Sequence, residues 1–268
     1  MPRPDPWASR SPENRGAGSS LPPLSQAPAG GGEPTNGTTG RAGHRAGHPS
    51  WPPELATRAE GSAVTPFQPL TLEDIADQRA YERERDAFRT QVIAVKKLRR
   101  ISVGPVVTLT FENRLTMRFQ VQEMARAEKM FSDEQIQHEL DVYNRLLPNR
   151  GELSATLFLE LTTEEELRTW LPRLVGVQRA SELRIGERPE PDVIVSTPEE
   201  EHEANLSRGE TTSAVHYVRF RFTPEQVAKF GAGPVVLAVN HPEYPEGLPG
   251  TTLSEATRAE LAADLTGI

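Results

Sequence analysis

Near Pro148 the spacing of apolar residues changes, and this limits the fold more than any other feature of the chain. Upstream, from Leu70, the apolar positions form broken stripes that suit a helix. Downstream they alternate with the period of two that suits a strand. Helices first, then several short strands mostly joined by turns, predict α+β: a helical N-terminal part packed on a mostly antiparallel sheet.

The upstream half predicts three helices and one strand. "LTLEDIADQRAYERERDAFRTQVIAVKKLRR" (70 to 100) is rich in helix formers. Thr71 caps it with Asp74 three residues on, and Ile75, Phe88, Val92 and Val95 supply the stripe. "VVTLTFEN" puts Val107, Leu109 and Phe111 on one side of a strand. "NRLTMRFQVQEMARAEKM" fits both periods, and its helix-forming second half favours a helix over 114 to 129, capped by Asn113. In "SDEQIQHELDVYNRLLP", Ser132 and Gln135 make a capping box, and Phe131 and Ile136 occupy the staple positions. Pro148 stops that helix.

Downstream, "ELSATLFLEL", "ASELRIG", "PDVIVST", "SAVHYVRFRF" and "PVVLAVNH" read as strands. "TEEELRTWLPRLVG", "TPEQVAKFGAG" and "LSEATRAELAADL" read as capped helices, the first interrupted near Pro172 and the second closed by Gly231. Residues 198 to 210 form an acidic, polar loop. Residues 1 to 65 hold 11 of the 24 prolines and 10 of the 20 glycines. Such a segment buries too little surface to offset its ordering entropy, so it reads as a disordered tail. Residues 66 to 268 remain for one α+β domain.

Charge and composition exclude several functions. The net charge is −8. The tail carries six Arg and five acidic residues, which leaves −9 for the rest and disfavours nucleic acid as a partner. The basic run Lys96 to Arg100 reads as a solvated helix end rather than an RNA or phosphate site. With no cysteine, the chain has no thiol nucleophile, disulfide or thiolate-ligated iron–sulfur cluster. No signal peptide is visible and no window approaches the about 18 apolar residues of a membrane span. The expected location is the cytoplasm.

The chain has no phosphate-binding glycine loop, nucleophile elbow or H-E-x-x-H motif, so whether it is an enzyme stays open. The six histidines are the main lead. His44 and His48 sit in the "RAGHRAGH" duplication of the tail, and His202 in the acidic loop. On the helix around Ile136, at 100° per residue, Leu140, Tyr143 and Leu147 define the core face. Glu139 leans toward that face and His138 points away, so the adjacent pair is not itself a metal site. A structural hydrogen bond or ion pair is the plainer role for Glu139.

His216 and His241 each share a strand face with apolar residues. If Phe222 lies opposite Val235 in an antiparallel pair, His216 faces His241. The two imidazoles could then bind one divalent metal with a carboxylate from Glu139, Glu123 or Glu243. A parallel crossover would separate them, and two independently satisfied core histidines are the plainer reading.

"FENRLTMRFQVQEMARAE", "IQHELDVYNRLLPNRGELSATLFLEL", "TSAVHYVRFRFTPEQVAKF" and "NHPEY" together resemble the bacterial family known as domain of unknown function 3501. The resemblance runs from about Leu70 to Leu265. Where the family pattern has "YNPL" this chain has "YNRL", which predicts a helix free to run on to Pro148. The resemblance implies an accessory role in a redox or oxidative-stress system, with a rubrerythrin-like or iron–sulfur protein as partner. Together with the missing catalytic motifs and the acidic balance, this reads as a non-enzymatic accessory or interaction protein. The competing reading from the residues is a metal-binding protein or metal-dependent enzyme.

Overall fold

The computed structural model describes residues 67–187, 190–199, 211–244 and 250–267. The predicted tail, His44, His48, His202 and most of the acidic loop lie outside the described residues.

The Thr71 capping box forms as predicted, but it closes only a 3-10 turn, Leu72–Asp74. The long helix α1, Gln78–Arg99, starts afresh after Asp77, whose side chain accepts the Ala80 N–H. The break has a physical cause. The Gln122 amide takes both the N–H and the C=O of Ala76, each at 2.9 Å, which satisfies an extended backbone there. The Asn144 amide treats Leu70 the same way, at 2.7 and 2.9 Å.

Helix α2, Arg114–Ala127, begins at its predicted cap, Asn113. Helix α3, Asp133–Tyr143, begins at the Ser132–Gln135 capping box. It does not run on to Pro148. The chain tightens into a 3-10 turn, Asn144–Leu146, and Leu147 is extended. Leu147 precedes proline, and the proline ring disfavours helical backbone in the residue before it.

Later helices are α4, Glu164–Arg173, α5, Pro224–Ala232, and α6, Glu255–Thr266. Pro172 sits in the last turn of α4, and α5 runs one residue past Gly231 to end at Gly233.

The strands divide between two sheets where the sequence predicts one. The first sheet has the order β1 (Arg100–Val103), β2 (Val107–Glu112), β3 (Glu152–Leu159), β7 (Val215–Arg221), β6 (Thr197–Pro198). The second has β5 (Asp192–Val195), β4 (Ser181–Ile185), β8 (Val235–Val239), β9 (Thr251–Thr252). Every described pairing is antiparallel. Leu109, Phe111, Leu157, Val218 and Phe220 of the first sheet share one core with Leu183, Ile185, Val235 and Leu237 of the second. Leu261 and Leu265 of α6 join it. Each such side chain contributes on the order of 1.5–3 kcal/mol through burial.

The other face of the first sheet carries Thr108, Thr110, Glu112, Ser154 and Thr156, and these are buried too. Tyr217, on the same face, packs against the cluster that holds Met117 and Val121 of α2 and Leu140 of α3. A helical layer therefore covers a polar sheet face.

Arg99 corrects the reading of the basic run as a solvated helix end. Its side chain is fully buried. Nε donates to the Phe111 carbonyl at 2.8 Å and the guanidinium pairs with Asp264 and, at 3.0 Å, with Glu260. This joins α1, β2 and α6. Burial pushes the Asp264 carboxyl up, and Arg99 offsets that only in part. A second clamp closes the turn after β1, where Gly104 has φ +65°. The buried Tyr244 hydroxyl donates to the Val103 carbonyl at 2.5 Å and accepts the N–H groups of Val106 and Val107.

Candidate functional site

The two strand histidines do not meet as a cross-strand pair. β7 pairs with β3 and β6, whereas β8 pairs with β4 and β9 in the other sheet. Helix α5 therefore connects two sheets, and the register that would oppose His216 to His241 is not formed. His216 is buried opposite Leu157, with Nε2 at 2.9 Å from both the Thr212 hydroxyl and the Ser213 carbonyl. His241 follows β8; its Nε2 lies 3.0 Å from the Val175 carbonyl and its Nδ1 accepts the Glu243 N–H at 3.2 Å. The Glu243 carboxylate pairs with Arg173 at 3.4 Å.

Glu123 lies on α2 and serves a different network. It accepts the Tyr81 hydroxyl at 2.6 Å and both arms of Arg85 at 2.7 and 2.8 Å. Burial works to raise its pKa, but the bonds from Arg85 and Tyr81 outweigh burial and hold the carboxyl below its ordinary range. Burial and the same carboxylate push the Tyr81 phenol up. Glu139 is half-buried on α3 and His138 beside it is exposed, as the helical phase predicts. Among the described residues, no group of three or more His, Cys, Asp or Glu could hold a metal ion.

A different arrangement stands out at the head and outer side of α3. Lys129 ends α2 with φ +53°, and the Met130 N–H returns to the Ala125 carbonyl at 2.9 Å. This left-handed reversal is ordinarily left to glycine. Phe131, next in the chain, is 73% exposed. It is therefore not the hydrophobic staple that its position predicts. Beyond it, Leu72, Asp133, Glu134, Gln137, His138 and Asp141 line an open depression. Asp133, Glu134 and Asp141 have no cationic partner among the described residues. The Glu134 backbone N–H and the Ser132 hydroxyl hold the Glu134 carboxyl below its usual range, so it is charged at neutral pH. Glu73, exposed in the adjoining turn, adds to the same field. An exposed aromatic residue thus lies two positions before the first carboxylate of this acidic wall.

Sequence reading missed Phe131 because staple spacing and exposed spacing look the same. It also missed Arg99, although a signal exists: Tyr81, Phe88, Val92 and Arg99 lie within about 20° of one line on the helix. The four are the buried residues of α1.

The fold is thus an α+β domain in which two antiparallel sheets share a core and helices cover the first sheet's far face. Residues 69–265 match the model of the family described as Protein of unknown function (DUF3501), and the chain belongs to that family. A crystal structure at 1.90 Å of a novel protein of unknown function from Burkholderia pseudomallei K96243 is similar to this chain. It is 35% identical with a TM-score of 0.66, and the match covers 74% of this chain and all of that one. No curated protein matches. No described helix is long and apolar enough to cross a membrane.

Proposed function

We propose that the protein is a non-enzymatic interaction protein that docks a partner on the outer side of α3. The observation that carries this reading is Phe131, 73% exposed and only two residues before the Asp133 and Glu134 pair in the chain. An exposed aromatic anchor with a charged rim is the usual composition of a docking site. Carboxylates with no cationic partner among the described residues call for a partner with a basic surface and an apolar socket for the ring. Buried Arg99 and half-buried Glu123 lend themselves less to chemistry, because both are committed to networks that join helices and strands.

The partner class follows from the resemblance noted above: a rubrerythrin-like or iron–sulfur protein, which would make this chain an accessory component of a redox system. The test places a photo-crosslinking residue at position 131 in cells, with position 195 on β5 as the control. A discrete adduct at 131 is expected, lost when Asp133, Glu134 and Asp141 become amides. No adduct beyond the control would defeat the docking reading. An adduct with a protein unrelated to redox chemistry would leave docking intact and remove the redox role.

A further inference from the structure

The polar sheet face beneath the helical layer contains an unmet demand for hydrogen bonds. Glu112 and Thr110 are 2% and 3% exposed and point the same way from β2. Glu112 Oε1 accepts the Thr156 hydroxyl at 2.7 Å. Glu112 Oε2 and Thr110 Oγ1 find no hydrogen-bond partner among the described residues. A buried acceptor left unpaired costs about 1–3 kcal/mol, so such atoms are ordinarily filled.

The two orphans belong to residues two positions apart on one face of β2. Thr156 stands directly across from Thr110 in the ladder. Cross-strand neighbours on one face have Cβ atoms about 4.5–5.5 Å apart. By reaching for Thr156, the Glu112 carboxylate leans toward Thr110. Arg99 does not serve this carboxylate. Its donors go to the carbonyls of Phe111 and Glu112 and to the carboxylates of Glu260 and Asp264.

We propose that Glu112 and Thr110 together bind one small hydrogen-bond donor, water or ammonium, between the five-stranded sheet and its helical layer. Glu112 Oε2 accepts from it. The Thr110 hydroxyl completes the site, accepting from either donor or donating to a water. The site is independent of the docking surface on α3.

Thr110→Val gives a test by sign, because valine matches threonine in shape and Thr110 Oγ1 makes no bond among the described residues. If the hydroxyl is an orphan, the substitution leaves the melting temperature unchanged or raises it. If it holds a donor, the variant melts about 2–4 °C lower, and Thr110→Ser retains the site. A crystal structure of the full chain should show a peak within hydrogen-bond distance of both atoms, absent from Thr110→Val. Salts at matched ionic strength separate the two ligands. Ammonium chloride stabilises the wild type over sodium chloride, and Thr110→Val does not respond, if the site takes ammonium. Equal stability in both salts identifies water. A Thr110→Val variant that melts at or above the wild type, or no peak at the site, overturns the proposal.

Discussion

At the scale of single residues, the half-buried and the exposed members of one pair should behave differently. Glu139 is half-buried on α3 and His138 faces solvent. His138→Ala should change stability by no more than about 0.5 kcal/mol, and Glu139→Ala should cost roughly 1–3 kcal/mol. Denaturant midpoints of the two variants measure this, and a reversed order would contradict the helical phase. Arg99 sets a larger effect. Asp264→Ala removes one partner of a fully buried guanidinium and should cost roughly 3 kcal/mol, read by chemical unfolding. Glu123 gives a pH signature. Its folded pKa is depressed below an unfolded value of about 4.3. Its contribution is therefore present above that value and lost as pH falls through the folded one. The stability of Glu123→Gln should fall less steeply than that of the wild type on the acid side. Parallel acid limbs in urea titrations would remove Glu123 from the acid response.

At the scale of elements, the turn between α2 and α3 carries a conformational cost unrelated to packing. Lys129 holds φ +53°, a region that disfavours side chains with a Cβ. Lys129→Gly should stabilise the domain by about 0.5–1 kcal/mol. Phe131→Ser should leave stability within about 0.5 kcal/mol and yet abolish docking, since the ring contributes little to the core. Thermal melts together with the crosslinking yield separate the two effects. A Phe131→Ser variant that loses several kcal/mol would mean that the ring is structural. Caps were the legible part of this scale. Ser132, Asn113, Thr163, Thr223 and Ser254 each cap the helix that follows them. A cap is read from a few neighbouring residues, so local sequence suffices to find it. The break between Thr71 and Gln78 was not legible, because the groups that satisfy it, Gln122 and Asn144, come from distant helices.

At the scale of the whole molecule, the described residues begin at Phe67, and Leu70 is buried against α3 and its following turn. A chain that begins at Val64 should melt within a few degrees of the full chain, and a large loss measured by calorimetry would give the first 63 residues a structural role. This expectation rests on their proline and glycine content, which leaves little to pack.

The sequence by itself determined the α+β class, the position of most elements, their caps and the phase of α3. These depend on the spacing of apolar residues and on contacts a few residues apart. The tertiary structure alone decided that the strands form two sheets, that β7 and β8 part company across α5, and that the faces of β2 are buried on both sides. It alone left one Glu112 oxygen without a hydrogen-bond partner among the described residues and turned Phe131 outward. Strand pairing and burial are settled between residues far apart in the chain. Alternation shows which side chains share a face, but not which distant strand or helix that face will meet.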